Sequence, residues 1–160
     1  MQRRLRTFHQ PYHRAVRDHI EATRARFGRS WHINCHSMNA VSGAQGEGGP
    51  GRARADFVVG DRDGTTCDAG FTEFVRAFLA DLGHDVRVND PYKGVELVRA
   101  YSNPAEGRMS LQLEINKRLY MDEATRTRNA GFEPLQRQLL SLVDAVLEYA
   151  ASELAAAAKR

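Results

Sequence analysis

The sequence predicts an α/β fold with a mixed, largely parallel sheet and helices on both faces. Three observations predict it. Four short runs rich in apolar and β-branched residues alternate with segments whose apolar residues recur every three or four positions. A strand, a helix and a second strand follow one another between positions 56 and 89, which favours parallel pairing with a right-handed crossover. The 160 residues are also enough for one domain with a core of its own.

Three helices are predicted from apolar periodicity and end signals. The first lies between Phe8 and Phe27 and is expected to bury one face, with Pro11 in its first turn and Gly28 closing it. Asp68 can cap the second helix, and Pro134 opens a long C-terminal helix. The buried face of the last helix is expected to contain Leu135, Leu139, Leu142, Val143, Val146, Leu147, Ala150 and Leu154.

The composition is that of an ordinary globular protein, with 42% hydrophobic and 27% charged residues. No apolar run approaches the roughly 20 residues that span a bilayer, and the basic opening MQRRLR lacks the apolar stretch of a secretory signal. The net charge is +3, but acidic residues are interspersed and no aromatic-basic motif appears, so nucleic-acid binding is not expected. Cys35 and Cys67 have no paired spacing and are expected to be reduced thiols in the cytoplasm.

The stretch NCHSM, at positions 34–38, is the first candidate site. It ends an apolar strand that begins at Trp31, and a glycine-rich loop at 42–55, expected to be a mobile cover, follows. Ligands bind at such strand ends in α/β sheets. The imidazole of His36 can ligate a metal or move a proton, and the hydroxyl of Ser37 can orient either group. The alternative is that His36 is simply a hydrogen-bonded residue at a strand end.

Charged and polar residues also follow the next two predicted strands. Asp61, Arg62 and Asp63 come after DFVVG, and the turn NDPYKG at positions 89–94 comes after HDVRV. The C-terminal ends of these strands are expected to meet at one edge of the sheet with His36. The following segment, up to Gly107, is expected to be irregular, with Tyr101 exposed.

The run MSLQLEIN, at positions 109–116, predicts a strand with two different faces. Leu111, Leu113 and Ile115 point one way, and Glu114 points the other way with its polar neighbours. Two placements are open. In an antiparallel edge strand the polar face would meet water. In a central strand covered on both faces, Glu114 would be a desolvated carboxylate that needs a partner or a chemical role.

Several motifs, in order, resemble the N-formylglutamate amidohydrolase family: HQPYH, NCHSM, DFVVGDRDG, NDPYKG, YSNP and LQLEINKRLYMDE. The resemblance runs from about Phe8 to Glu123 and implies a fold like that of the zinc carboxypeptidases. It implies that His36 ligates Zn²⁺ and that Glu114 is the catalytic acid and base. The implied reaction cleaves an N-formyl or other N-acyl amino acid to the acid (formate for a formyl group) and the free amino acid by zinc-activated water, in cytoplasmic histidine degradation.

The resemblance also implies cations for a substrate with two carboxylates. Arg62 is the first candidate and Lys93 the second, with Asn89, Tyr92 and Ser37 as neutral contacts. Residues 1–160 are expected to form a single amidohydrolase-like domain that lacks the family's N-terminal segment and part of its ligand set. Zinc is therefore expected to bind weakly, hydrolysis to be negligible, and the protein to form a homo-oligomer or to need an upstream segment.

Two other functions are open on the sequence. One is a catalytically silent domain that keeps the pocket and binds a small molecule. The other is a thiol hydrolase that uses Cys35 beside His36, which is disfavoured because neighbours on an extended strand point to opposite faces.

Overall fold

A four-stranded sheet in the order β1-β4-β2-β3 organises the molecule, which a computed structural model describes for residues 2–46 and 49–159. The strands are β1 (Ser30–Met38), β2 (Phe57–Gly60), β3 (Val86–Val88) and β4 (Arg108–Asn116). The pairs β1–β4 and β2–β3 are parallel, and β2–β4 is antiparallel. The sheet is therefore mixed and largely parallel, as predicted. A small hairpin of β5 (Met121–Asp122) and β6 (Thr127–Arg128) follows it.

Helices cover both faces of the sheet. They are α1 (Gln2–Arg4), α2 (Gln10–Phe27), α3 (Ala69–Asp81), α4 (Glu96–Ala100) and α5 (Phe132–Ala157), with a π-helical turn at Leu5–His9 joining α1 to α2. The predicted C-terminal signal of α2 and the predicted N-terminal cap of α3 are confirmed, whereas the helical run before α2 already starts at Gln2, upstream of the predicted Phe8. Gly28 closes α2 with φ 78°, and the Asp68 side chain accepts a hydrogen bond of 2.8 Å from the Phe71 N–H. No helix in these described ranges is long and apolar enough to cross a membrane.

The apolar core lies between one face of the sheet and the helices α3 and α5. Its largest members from the sheet are Phe57, Leu111 and Leu113, which pack against Phe71 and Leu135. Full burial of each such side chain contributes roughly 1.5–3 kcal/mol. The predicted β2–α3–β3 unit supplies about half of this core, and the parallel β2–β3 pairing confirms the unit.

The other face of the sheet is polar and is covered by α2 and α4. Here Ser110, Gln112, Glu114 and Asn116 of β4 are all buried. Because β4 pairs with β1 on one side and β2 on the other, it is a central strand. Of the two placements open on the sequence, the central one is therefore correct.

Two helices bury less of their apolar surface than the periodicity predicted. In α2 only Ile20 is buried, and Tyr12 is exposed, because the helix meets the sheet mainly through its C-terminal half. In α5 only Leu135 and Leu142 are buried, while Val143 is exposed. The periodicity identified the apolar residues of each helix correctly, but it could not show how much of the helix surface the sheet covers.

The segment between Gly94 and Gly107 is also more ordered than predicted. It contains α4 and a 3-10 turn at Pro104–Glu106. Tyr101, expected to be exposed, is buried, and its hydroxyl hydrogen-bonds the Nδ1 atom of His13. This contact attaches α2 to the polar face.

Candidate active site

Four polar side chains form a row across β1 and β4 on the polar face. The parallel register places Asn34 beside Gln112 and His36 beside Glu114. The Nε2 atom of Gln112 donates a hydrogen bond of 2.8 Å to Oε1 of Glu114. The Nδ2 atom of Asn34 lies 3.4 Å from Oε1 of Gln112 and 3.1 Å from Nε2 of His36. The alternation of strand side chains thus brings all four groups together.

Glu114 is a buried carboxylate beside a partly exposed imidazole. Its relative exposure is 6%, and its Oε1 atom lies 3.6 Å from Nδ1 of His36. That distance is too long for a hydrogen bond but within ion-pair range when the imidazole is protonated. The pair is therefore arranged to hold a proton, or a cation, between a base and an imidazole.

Glu114 lines a cavity of about 420 Å³. The wall includes Tyr92 and Arg54, and the rim includes Ser37 and the loop that begins at Val41. Arg54 is only 5% exposed, and its guanidinium carbon lies 5.2 Å from the centroid of the Tyr92 ring, a cation–π contact. The cavity thus combines a carboxylate with a buried cation, a pairing suited to an anionic substrate that undergoes proton transfer.

The turn at 89–94 reaches the cavity because it lies directly on β2. A Cβ atom at Gly60 would lie 2.8 Å from the Lys93 carbonyl carbon and 2.9 Å from the Tyr92 oxygen. Only glycine permits this approach. Beyond the turn, the Val95 N–H donates a hydrogen bond of 3.0 Å to Oε1 of Gln112. The contact joins the turn to the row of polar side chains.

One geometric expectation from the sequence is wrong. The strand ends do not all meet at one edge, because β2 and β3 run opposite to β1 and β4. Gly60, the last residue of β2, lies level with Gln112, and the chain then leaves the sheet away from the end of β4. Asp61, Arg62 and Asp63 therefore lie at the opposite edge from Met38.

Three of the predicted substrate contacts have other partners at that edge. Arg62 donates a hydrogen bond of 2.8 Å from Nη1 to the Gly94 carbonyl, and Lys93 forms an exposed ion pair of 2.8 Å with Asp63. Asn89 donates a hydrogen bond of 2.7 Å from Nδ2 to Oδ1 of Asp61. None of the three lines the cavity as the described residues form it, whereas Tyr92 and Ser37 do. Their substrate roles stay predictions.

A complete zinc site is not formed by the described residues. A catalytic zinc takes three protein ligands and a water. His36 and Glu114 are the only neighbouring pair of metal-ligating groups in the candidate site, and 2–46 and 49–159 contain no group of three His, Cys, Asp or Glu side chains placed to hold a metal. The residues present therefore do not fit a resident zinc ion on their own.

The thiol of Cys35 is separate from this site. Cys35 and His36 both line the groove against α5, but the His36 imidazole lies beside Glu114, its neighbour on the polar side of β4. Burial raises the pKa of the Cys35 thiol, which disfavours the reactive thiolate. The register puts Cys35 beside Leu113 and His36 beside Glu114, in agreement with the expectation that neighbouring strand residues point apart, so this thiol and this imidazole do not form a nucleophile–base pair.

Sequence reasoning gave no role in the site to three of its residues. Asn34 and Gln112 share a face with His36 and Glu114, so the alternation used for β4 would have found them if applied to both strands. Arg54 lies after the glycine-rich loop, where no periodic pattern exists to place it.

Comparison with known proteins gives a consistent set of relatives. A family model described as N-formylglutamate amidohydrolase matches residues 1–121. An N-formylglutamate deformylase of Pseudomonas putida is 28% identical over 152 residues, 93% of this chain and 55% of that protein. One of Pseudomonas aeruginosa is 28% identical over 114 residues, 71% and 41% of the two chains. A crystal structure of N-formylglutamate amidohydrolase from Ralstonia eutropha JMP134 superposes with a TM-score of 0.85 at 44% identity, covering 95% of this chain and 54% of that one. The chain spans about half the length of these relatives.

Proposed function

Because the chain belongs to the N-formylglutamate amidohydrolase family, we propose that it provides the acid–base side of a site that hydrolyses N-formylglutamate to formate and glutamate. The relatives are named for this substrate. One observation carries the proposal: the buried carboxylate of Glu114 is held by Gln112 and faces a cavity that also contains Arg54. A hydrolase needs a positioned base of this kind to take a proton from water, and the carboxylates of an amino-acid substrate need a cation in the site to bind them.

Glu114 acts twice in the proposed reaction. It takes a proton from a water molecule as the water oxygen bonds to the formyl carbon, and it gives that proton to the amide nitrogen as the carbon–nitrogen bond breaks. The hydrogen bond from Gln112 keeps one carboxylate oxygen in place during both transfers. The immediate products are formic acid and the free amine, and transfer of the acid's proton to the amine gives formate and an ammonium group, so atoms and charge balance.

Zinc is proposed only for a form of the protein in which further ligands join His36. Bound zinc lowers the pKa of a coordinated water to about 7 and polarises a carbonyl. His36 is the imidazole that would ligate it, as the family resemblance implies. The other ligands would have to come from outside the described residues.

Arg54 is the proposed partner of a substrate carboxylate. It stands in the cavity wall, whereas Arg62 lies at the other edge of the sheet and bonds the Gly94 carbonyl. A guanidinium binds a carboxylate through two parallel hydrogen bonds, and lysine cannot reproduce that geometry. Arg54→Lys is therefore expected to weaken N-formylglutamate binding at least tenfold, with the matched Arg62→Lys change as the comparison. Equal affinities of Arg54→Lys and unmodified protein in calorimetry would contradict the assignment.

Formate release from N-formylglutamate tests the reaction. Zinc is added in excess, because mass action then offsets weak binding. Glu114→Gln keeps the side-chain shape and is expected to lower the rate by about 100-fold or more, while the exposed Glu133→Gln leaves it unchanged. Unmodified protein that binds N-formylglutamate but releases no formate would instead favour the catalytically silent alternative.

A further inference from the structure

The strand β1 has an open edge. Ser30 donates its N–H to the Gly107 carbonyl at 2.8 Å, so Ser30 and every second residue after it direct their backbone groups towards β4. The backbone groups of Trp31, Ile33, Cys35 and Ser37 therefore point away from the sheet. Within 2–46 and 49–159 none of these groups has a backbone hydrogen-bond partner. Such an edge is a template for another strand.

An exposed apolar stripe on α5 runs beside this edge. Leu140, Val143 and Leu147 are 59%, 55% and 64% exposed, and they lie three or four residues apart on one side of the helix. A groove of about 420 Å³ between β1 and α5 is lined by Cys35, Ser37 and Leu140 among others. The groove and stripe form one apolar surface that continues the open edge.

The helix α5 runs antiparallel along β1, which fixes how the two features are aligned. Ser37 and Leu140 line the same groove, and the Trp31 and Tyr149 rings lie 6.3 Å apart. Halfway between these contacts, Asn34 is level with Asp144 and Ala145, the residues that follow Val143. The middle of the open strand and the middle of the exposed stripe therefore lie within about one residue of each other along α5.

We propose that this surface binds a second copy of the chain around a two-fold axis that passes near Asn34 and Val143. The two β1 strands pair antiparallel, so that the two sheets become one sheet of eight strands. The axis places Ile33 opposite the partner's Cys35 and Trp31 opposite the partner's Ser37, as hydrogen-bonded pairs. These are the residues whose backbone groups point outwards, so this one register gives the outward N–H and carbonyl groups of Trp31, Ile33, Cys35 and Ser37 hydrogen-bond partners.

The same register keeps each face of the sheet consistent. Apolar-side residues meet apolar-side residues, and Asn34 meets the partner's Asn34 on the polar side. His36 has the partner's His32 as its cross-strand neighbour, so the second copy adds an imidazole next to the candidate site. A shift by one residue would exchange the faces and lose this match.

Charge complementarity on α5 also favours a second copy. Arg137 lies near the start of the apolar stripe, and Asp144 and Glu148 lie towards its end. An antiparallel pair of α5 helices brings Arg137 towards the acidic end of the partner helix, twice by symmetry. A parallel pair would place like charges together. The apolar stripe, the charges and the open strand thus fit the same two-fold partner.

Sedimentation equilibrium tests the dimer. The unmodified chain is expected to be a dimer at micromolar concentration. Val143→Arg places two like charges at the axis and is expected to weaken the dimer at least about 30-fold, as for a central interface residue. Leu82→Arg makes the same apolar-to-arginine change at an exposed residue just after α3, before β3 at the other edge of the sheet, and is expected to have no effect. A monomeric unmodified chain, or equal effects of the two variants at equal thermal stability, would overturn the proposal.

Oxidative cross-linking tests the register. With Cys35→Ser as background, Asn34→Cys places two thiols opposite each other in a non-hydrogen-bonded pair, whose Cα atoms are about 4.5 Å apart and within disulfide range. It is expected to give a covalent dimer under mild oxidation. Ser37→Cys in the same background faces the partner's Trp31 and is expected to give none. Cross-linking of Ser37→Cys but not Asn34→Cys would overturn the proposed axis.

Discussion

Gln112 helps to position Glu114 through a hydrogen bond of 2.8 Å. Burial of a carboxylate is costly unless hydrogen bonds replace the lost water. Gln112 supplies one such bond through Nε2, and its own Oε1 accepts from the Val95 N–H. A neutral amide, itself almost fully buried, therefore links the base to the turn that carries Tyr92.

Replacing Gln112 by leucine is expected to lower the free energy of unfolding by about 1–3 kcal/mol, because the Val95 N–H loses its acceptor inside the protein. Urea unfolding measures this loss. The exposed Gln10→Leu change removes the same amide without breaking a buried bond and is expected to stay within about 0.5 kcal/mol of the unmodified chain. Equal stability of both variants would show that Gln112 does not hold the turn.

His32 makes stability depend on pH. Burial lowers the pKa of His32 from its usual 6.5, and its Nδ1 atom lies 2.8 Å from the Ser110 hydroxyl. Below pH 6.5 the His32 imidazole is protonated in the unfolded chain but still neutral in the folded chain. The free energy of unfolding therefore falls as the pH decreases from 6.5 towards the lower pKa that His32 has in the folded chain. His32→Asn is expected to reduce this fall, measured by urea unfolding at pH 7.5 and 5.5. An unchanged difference between the two pH values would contradict the assignment.

At the scale of secondary structure, the sequence predicts what is local and misses what depends on partners. The Asp68 cap, the β2–α3–β3 unit and the two faces of β4 follow from patterns within a few residues. The direction of β2 relative to β4 does not, because side chains alternate in the same way in parallel and antiparallel strands. The expected edge for Arg62 was wrong for that reason.

In the candidate site, too, some residues could be predicted from the sequence and others depended on how distant segments fold together. The resemblance pointed to His36 and Glu114, and the register brings them within 3.6 Å. Arg54 was not predicted, because its place in the cavity wall depends on how a glycine-rich segment folds back over the sheet. Amphipathic periodicity likewise placed Tyr12 on the apolar face of its helix but could not show that about half of its surface, 51%, stays exposed.

The close approach of the 89–94 turn to β2 gives a prediction at this scale. Gly60→Ala would put a Cβ atom 2.8 Å from backbone atoms of the turn, so the turn must move. We expect a loss of about 1–3 kcal/mol in the free energy of unfolding, together with weaker N-formylglutamate binding as Tyr92 shifts. Gly43→Ala is the matched control, since no atom lies within 4 Å of its added Cβ. Equal melting temperatures for both variants would contradict the packing.

At the scale of the whole molecule, the open edge and the incomplete ligand set are features of the same strand. His36 lies on β1, which has a neighbouring strand on one side only. Glu114 on that neighbour supplies one anionic group, and the outer side of β1 supplies none from the described residues. Whatever pairs with β1 therefore decides both the oligomeric state and the chemical surroundings of His36.

Metal content is the final prediction. One imidazole with one carboxylate cannot hold zinc tightly, because tight sites use three or four converging ligands with fixed supporting contacts. We expect dialysis against a mild chelator to leave well below one zinc per chain by mass spectrometry. In competition with a chromophoric chelator, His36→Ala is expected to weaken the residual affinity at least tenfold, and the exposed His19→Ala to leave it unchanged. Stoichiometric zinc retained by a monomer through that dialysis would mean that residues other than His36 and Glu114 form the metal site.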